Sequence, residues 1–365
     1  EYADKAIPMV TEDPYRLAND FYGIGFFSAD KVALSIGLAE DSQQRMIAAI
    51  KHVLAASREQ GHCYLTEPQI NAGIIELIEM DLGERLPGYL QFMKQDDQLR
   101  TRQLIKDDIQ YTCYYSKTLF YDEATVAKKL QEMKGPLDQE KASDPERIAT
   151  WIKRYCQSKS IALSDEQADA VKGIVQHRFS ILTGGPGCGK TTTTLVIVRL
   201  LEAMKKKVLL AAPTGRATQR MREVIGREAK TIHRLLEWKG GEFEKNDEST
   251  LQADFLIVDE CSMLDISLSA SLLKAVPHNC QVLFIGDADQ LPSVGAGNVI
   301  KDIIFSGAIP CFRLTQVFRQ AQASLIIQYA HQINKGQTPY IDSPFKKPSV
   351  WQDSSDCLFI DSDEA

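Results

Sequence analysis

The chain has 365 residues, of which 44% are hydrophobic and 25% are charged, and its formal net charge is −7. This length allows two or three domains with cores of their own, and the composition is ordinary for a globular protein. No apolar run reaches the roughly 18 residues that a membrane-spanning helix needs, which argues against a membrane partner. The overall acidic balance does not indicate a nucleic-acid partner.

The eight cysteines are scattered along the chain, and no two of them form a C-x-x-C pair that would begin a zinc site. Scattered cysteines in a chain of this length usually serve as small buried side chains in a reducing compartment. The predicted location is therefore the cytoplasm.

Helical periodicity dominates the first 150 residues, as in SQQRMIAAIKHVLAAS, which begins at Ser42. We divide this part into residues 1–60 and a helical, winged-helix-like connector over residues 61–150. Near the start, DPYRLANDFYGIGFFSADKVALSIG predicts a helix, a tight turn at Gly23 and Gly25, and a second helix capped by Ser28. Helix-hairpin-helix motifs use such a turn to offer backbone N–H groups to a DNA phosphate, so residues 1–60 are predicted to be a helix-hairpin-helix DNA-binding region, although packing between the two helices explains the glycines equally well.

From about residue 151 the pattern changes, because short apolar runs rich in β-branched residues alternate with helical segments. The runs are FSILT, KVLLAA, FLIVDE and QVLFIGD. This alternation predicts an α/β domain over residues 151–310, with a parallel sheet, helices on both faces and ligands at the carboxyl ends of the strands. Residues 311–365 follow as a separate segment.

The stretch LTGGPGCGKTTTT, residues 182–194, follows the first of these strands and matches the P-loop pattern. Its glycines let backbone N–H groups surround a phosphate. Lys190 is expected to reach the β- and γ-phosphates of ATP, and Thr191 to hold Mg²⁺. The predicted nucleotide-binding residues are Gln167, Gly185, Gly187, Cys188, Gly189, Lys190, Thr191 and Thr192.

Two residues of this set have a second interpretation. Cys188 lies near a helix N-terminus that would lower the pKa of its thiol and make it sensitive to alkylation, although a small spacer is the simpler explanation. Gln167 offers an amide to the adenine edge, and it also completes a capping box with Ser164. Both interpretations of Gln167 are compatible.

The run FLIVDE ends in two acids, Asp259 and Glu260. Asp259 is expected to bind Mg²⁺, and Glu260 to take a proton from an attacking water, which favours a hydrolase over a kinase. Gln290, in GDADQLPSVGAG, and Arg319, in LTQVFRQ, are expected near the γ-phosphate. The simpler alternatives are a Gly/Pro-rich loop and a solvated arginine.

The "basic stretch", residues 199–230, contains nine Lys or Arg and three Glu, a local charge of +6 (9 − 3). Charge runs of this kind usually form a solvated helix face. The stretch surrounds APTGRA and precedes TIHRLL, so the function of its charges depends on the function of those two segments.

In order along the chain, the glutamine motif, GGPGCGKT, APTGRA, TIHRLL, VDE, GDADQLPSVGAG and LTQVFRQ resemble the motifs of superfamily 1 helicases of the RecD-like branch. The resemblance covers about residues 160–340. It implies that the predicted nucleotide site belongs to a motor. It also implies contacts to single-stranded DNA from Pro213, Thr214, Arg216, Thr231 and His233.

By the same resemblance the basic stretch is a track for DNA phosphates, although backbone contacts of this kind tolerate RNA as well. The glycine turn ahead of such a motor resembles the long, stand-alone RecD-like helicases, which are 5′-to-3′ DNA helicases. That family implies ATP and Mg²⁺ as cofactors, single-stranded DNA and its junctions with duplex as partners, a role in DNA repair or recombination, and a monomer. Residues 237–252 would be a strand-separating pin hairpin, for which a solvated loop is the alternative.

The chain ends just as the second motor lobe of that family begins, so residues 311–365 are expected to be the start of a truncated lobe. We therefore expect the chain alone to bind ATP and to hydrolyse it poorly. Two other functions stay open at this point. One is a non-enzymatic, nucleotide-sensing DNA-binding module, against which Glu260 argues. The other is the motor subunit of a nuclease or relaxase complex.

Overall fold

The structure is a computed structural model that describes residues 6–20, 24–106, 108–137, 144–318, 324–351 and 356–360. The chain divides into two compact units. The N-terminal unit contains residues 1–125, 265–267 and 293–297, and the C-terminal unit contains residues 126–264, 268–292 and 298–365. No described helix is both long enough and apolar enough to cross a membrane.

Helices make up most of the N-terminal unit. The described helices of this part of the chain are α1 (Ala6–Glu12), α2 (Arg16–Asp20), α3 (Phe26–Ser35), α4 (Gln43–Ala56), α5 (Glu67–Ile78), α6 (Leu86–Gln95) and α7 (Lys117–Glu132). Helix α4 begins where the Ser42 side chain accepts a hydrogen bond from the Arg45 N–H. Met46, Ile50 and Leu54 recur every four residues along it, and all three are buried.

Helix α3 begins earlier than the sequence suggests. Gly25 is its N-cap residue, with φ −89° and ψ 179°, and the Gly25 carbonyl accepts hydrogen bonds from the N–H groups of Ser28 and Ala29. Ser28 is therefore the third residue of the helix and does not cap it, so that prediction is wrong. The prediction fails because the extended backbone of Gly25 already supplies the first carbonyl of the helix.

A β-hairpin, which helical periodicity did not predict, follows α6. Its strands are β2 (Leu99–Lys106) and β3 (Ile109–Ser116), and the short β1 (Leu65–Thr66) pairs with β3, so that the antiparallel order is β1-β3-β2. Arg100 and Arg102 stand on β2 and contact aromatic rings of the segment that follows β3. The strands carry many polar residues, which hides their alternating pattern from a search for apolar runs.

The C-terminal unit is built on a six-stranded sheet with the order β11-β4-β10-β9-β5-β6, in which every neighbouring pair is parallel. The strands are β4 (Phe179–Gly184), β5 (Val208–Ala212), β6 (Ala229–Thr231), β9 (Phe255–Val258), β10 (Gln281–Gly286) and β11 (Cys311–Leu314). A separate hairpin consists of β7 (Trp238–Lys239) and β8 (Glu242–Phe243). The predicted α/β class, with a parallel sheet after a helical N-terminal region, is confirmed.

Helices cover this sheet. Those described are α8 (Pro145–Lys159), α9 (Asp165–Ile174), α10 (Lys190–Ala203), α11 (Gly215–Ile225), α12 (Ile232–Leu235), α13 (Ile266–Lys274), α14 (Val299–Ser306) and α15 (Leu325–Asn334). Strands β4, β9 and β10 are buried along their whole length. Each large apolar side chain buried there stabilises the fold by about 1.5–3 kcal/mol, which fixes the strand ends that carry the predicted motifs.

Candidate functional site

A cavity of about 1090 Å³ lies within the C-terminal unit, where the loops after β4 and β9 meet. Parallel strands place their carboxyl ends at one edge of a sheet, so motifs that are distant in sequence converge there. The predicted residues that line this cavity are Gln167, Gly185, Gly187, Gly189, Lys190, Thr191, Thr192, Asp259, Glu260 and Gln290. Arg319 lies outside the described residues.

Two glycines of the loop have a backbone conformation that other residues rarely adopt. Gly187 and Gly189 both have φ +79°. A Cβ atom added to Gly189 would lie 2.4 Å from Nε2 of Gln167 and 2.9 Å from the ring of Phe318. The loop therefore requires glycine at this position for both conformation and space.

The Lys190 ammonium lies inside the loop, where it donates hydrogen bonds to the carbonyls of Gly184 at 2.6 Å and Gly185 at 3.2 Å. Helix α10 begins at Lys190, and its first N–H groups belong to the same loop. A helix N-terminus and an ammonium group both favour a bound anion. The glycine cradle and this charge fit the phosphates of a nucleotide.

Gln167 is only 1% exposed and is held at both ends of its amide. Its Oε1 accepts a hydrogen bond from the Ser164 N–H at 2.9 Å, and its Nε2 donates to the Gly189 carbonyl at 3.2 Å. Because the Ser164 Oγ accepts from the Gln167 N–H, the predicted capping box is present. The cap thus fixes Gln167 against the loop.

The two acids after β9 adopt an unusual local geometry. Glu260 has φ +55°, a left-handed conformation that strains a residue with a side chain, and its N–H donates to Oδ1 of Asp259 at 2.9 Å. Burial raises the pKa of Asp259, although that N–H and the charges of Lys190 and Arg220 act in the opposite direction. A cation bound beside Asp259 would favour its carboxylate form, which suits a metal ligand.

Gln290 is connected to the segment after β9 through Ser262, whose hydroxyl donates a hydrogen bond to the Gln290 Oε1 at 3.2 Å. Ser262 lies two residues after Glu260, in a 3-10 turn over Cys261–Met263. The segment after β10 is thus joined to the segment after β9 on the wall of the cavity.

Cys188 does not line the cavity and packs instead into the apolar core of the C-terminal unit. Burial raises the pKa of its thiol, and this effect exceeds the lowering caused by Lys190. The expectation of a lowered thiol pKa is therefore wrong, because the side chain is withdrawn from water. Cys113, Cys261 and Cys280 are buried like Cys188.

Phe318 and Arg220 are among the lining residues of the cavity that the sequence did not predict. The Phe318 N–H donates to the Gly187 carbonyl at 3.3 Å, and its ring lies against Gly189. Arg220, on α11, lines the same cavity as the two acids. The signal for Phe318 was its place directly before Arg319, whereas no sequence signal separated Arg220 from its basic neighbours.

The predicted DNA-binding residues cluster at the ends of β5 and β6, which are parallel neighbours with Ala212 opposite Thr231. Thr214 and Thr231 each accept a hydrogen bond from a backbone N–H and so cap α11 and α12. Arg216 is exposed, and His233 packs beside the β7–β8 hairpin, with ring centroids 5.6 Å from Phe243. Pro213, directly after β5, completes the group.

In the N-terminal unit, Gly25 lies at the start of α3, and a Cβ atom added there would meet no atom of the described residues within 4 Å. Gly23 lies outside the described residues. Gly25 therefore leaves open space beside the helix N-terminus.

Two family models match the chain. The ATP-dependent RecD2 DNA helicase HHH domain matches residues 1–64, and an AAA domain matches residues 167–296. The chain is RecD2-like. The helix-hairpin-helix region and the P-loop region thus occur together in the order that the resemblance implied, and the resemblance to RecD-like superfamily 1 helicases is confirmed.

The similar proteins are longer than this chain. The ATP-dependent RecD2 DNA helicase of Deinococcus radiodurans is 34% identical over 349 residues, which cover 92% of this chain and 46% of that protein. The RecBCD enzyme subunit RecD of Mycobacterium tuberculosis is 36% identical over 164 residues, covering 38% of this chain and 28% of that protein. The Pif1 helicase from Candida albicans aligns with 24% identity and a TM-score of 0.39, over 49% of this chain and 45% of that one. The aligned part of the chain covers less than half of each of these three proteins.

Proposed function

We propose that the chain is the ATP-binding and DNA-binding part of an ATP-dependent DNA helicase that translocates on single-stranded DNA. The observation that supports this most strongly is the convergence of Lys190, Asp259 and Glu260 on one glycine-lined cavity. The similarity to a protein named ATP-dependent RecD2 DNA helicase adds the substrate class. Travel from 5′ to 3′, a role in repair or recombination, a cytoplasmic location and action as a monomer at single-strand junctions complete the proposal.

Each residue of the proposed nucleotide site has a proposed role in binding or hydrolysing ATP. Lys190 and the backbone N–H groups of the loop hold the phosphates, and Thr191 with Asp259 would hold Mg²⁺, which neutralises phosphate charge when it is bound. Glu260 accepts a proton from the attacking water, and Gln290 and Arg319 act near the γ-phosphate. Gln167, which also lines the cavity, binds the adenine of the nucleotide.

The DNA contacts belong to the same α/β domain. Thr214 and Thr231 cap helices at adjacent strand ends, so a DNA backbone crossing these ends would meet hydroxyl groups and the exposed Arg216. The β7–β8 hairpin is the proposed strand-separating pin. Cycles of ATP binding and hydrolysis close and reopen the cleft between two motor lobes, which moves the DNA along.

The test has two steps on the chain as it stands. Binding of a fluorescent ATP analogue with Mg²⁺ is measured first, and ATP turnover with and without single-stranded DNA second. Lys190→Ala is expected to lose binding, whereas Glu260→Gln keeps binding and loses turnover. We expect turnover by the chain alone to be low, with DNA raising it.

Two outcomes would contradict the proposal. A wild-type chain that binds no nucleotide would exclude an ATP site. A Glu260→Gln variant that turns over ATP as fast as the wild type would remove the catalytic base and favour a nucleotide-sensing DNA-binding module.

A further inference from the structure

The basic stretch does not form one uniform surface, because several of its arginines bind other parts of the protein. Arg199 and Arg227 both form ion pairs with Glu202. Arg222 donates two hydrogen bonds to the backbone carbonyl of Ala229, the shorter of them 2.6 Å long. These side chains hold helices and strands together, so they are poorly placed to follow a DNA backbone.

Arg220 differs from all three. It is exposed, and within the part of the chain that the structure describes, its guanidinium forms no hydrogen bond or ion pair. It lines the cavity that contains the P-loop, and Met221 beside it lines the same wall. A cation that faces a phosphate cradle without a protein partner is available to a ligand.

Arg220 shares its cavity with the residues that are proposed to bind the phosphates and the metal. Lys190, Thr191 and Asp259 line the same cavity as Arg220. A nucleotide whose phosphates are held by Lys190 would therefore lie in a cavity to which Arg220 also contributes.

The charges that line the cavity also favour a second cation. Among the described lining residues the acids are Asp259 and Glu260, and with Lys190 alone the net charge would be −1 (1 − 2). Arg220 brings the sum to zero (2 − 2). Because like charges repel most strongly where water is partly excluded, neutralising the site favours entry of an anionic nucleotide.

We propose that Arg220 binds a phosphate of the nucleotide directly and is not part of the DNA phosphate track. A guanidinium presents paired N–H groups that match two phosphate oxygens. Arg220 would thus supply a cation from the same α/β domain as the P-loop. This inference rests on the proposed function in one respect, namely that the cavity binds ATP.

The same helix would then serve both ligands. Arg216, a proposed DNA contact, precedes Arg220 by four residues on α11, and residues with this spacing are neighbours on one helix face. A shift of α11 on nucleotide binding would move the DNA contact with it.

The experiment compares affinities for a non-hydrolysable ATP analogue, for AMP and for single-stranded DNA in the wild type, Arg220→Ala and Arg220→Lys. Arg220→Ala is expected to weaken binding of the ATP analogue by about tenfold or more, and Arg220→Lys to recover part of it. AMP affinity and DNA affinity should be unchanged. Arg227→Ala is the matched control, because it removes an exposed arginine of the same stretch away from the cavity.

Other results would overturn the inference. If Arg220→Ala keeps its affinity for the ATP analogue within about twofold of wild type, the guanidinium does not bind the nucleotide. Arg220→Ala could instead lose DNA affinity, with a slope of log affinity against log salt concentration that falls by about one phosphate contact. That result would place Arg220 on the DNA track. Lys190→Ala separates the two proposals: if it also leaves nucleotide binding unchanged, the proposed ATP site itself fails. Thermal unfolding of each variant checks that it is folded.

Discussion

Two glycine turns of this chain are proposed to bind phosphate through backbone N–H groups. The glycines of the two turns differ in backbone conformation and in the space around them. Gly189, in the P-loop, has φ +79°, and an added Cβ would lie 2.4 Å from the Gln167 amide. Gly25, at the start of α3, has φ −89°, and an added Cβ would meet none of the described residues within 4 Å. Backbone conformation and space both require glycine at position 189, whereas among the described residues neither requires it at position 25.

The surroundings of the two turns differ as well. The P-loop follows the fully buried strand β4, whereas helix α3 is held by a buried polar network. In that network Asp30, on α3, accepts hydrogen bonds from the Tyr15 hydroxyl at 2.6 Å and from the Arg45 guanidinium at 2.9 Å. The strand before the first proposed phosphate site is thus part of a buried sheet, and the helix after the second one is held by a charge pair.

The largest expected effect follows from Gly189→Ala. The left-handed backbone and the contact with Gln167 together should lower the free energy of unfolding by about 2–4 kcal/mol and weaken ATP-analogue binding by roughly a hundredfold. Urea unfolding and a nucleotide titration measure the two effects. A stable variant with normal affinity would show that the loop accommodates a side chain and would remove the contrast with Gly25.

Asp30→Asn should have the next largest effect, confined to the N-terminal unit. It leaves the buried Arg45 guanidinium without its carboxylate, which should cost about 2–4 kcal/mol of stability. Thermal unfolding measures the cost, while ATP-analogue binding should not change. If the double variant Asp30→Asn with Arg45→Met is no more stable than Asp30→Asn alone, an unpaired buried charge is not the cause.

The pH dependence of this pair gives an independent check. Burial alone would raise the pKa of Asp30, but the hydrogen bonds from Arg45 and Tyr15 outweigh it and lower the pKa below its ordinary value of 3.8. The stability from Asp30 is therefore fully present above that value and is lost as the pH falls through the lowered pKa. The difference in urea midpoint between wild type and Asp30→Asn should shrink only in that acidic range.

Gly25→Ala should have the smallest effect on stability, less than about 1 kcal/mol, because the added methyl group meets none of the described residues and the cost is that of replacing an N-cap glycine. Its affinity for a short DNA duplex at low salt should fall about threefold to tenfold if a phosphate approaches the N-terminus of α3. Nucleotide binding should be unchanged. Unaltered DNA affinity would remove Gly25 from the proposed DNA contacts.

Several features were predictable because they depend on residues close together in the chain. The P-loop, the capping box of Ser164 and Gln167, and the alternation of strands and helices are local patterns, and the structure contains each of them. The β2–β3 hairpin was missed although its pairing is also local, because its strands are rich in polar residues and β3 is half exposed, so that neither gives an apolar run.

Charge and burial at single positions were decided by the tertiary structure. Cys188 had two interpretations in the sequence, a thiol with a lowered pKa and a small spacer, and its burial in the core fits the second, whereas Arg220 resembles its basic neighbours in sequence but lines the cavity. The sequence by itself determined strands β4, β5, β9 and β10, the glycine cradle and the acids, because backbone conformation and hydrogen bonding there depend on adjacent residues. Only the tertiary structure decided which cations and aromatic rings surround the cradle, because pKa values, charge neutralisation and packing depend on residues that are distant in the chain.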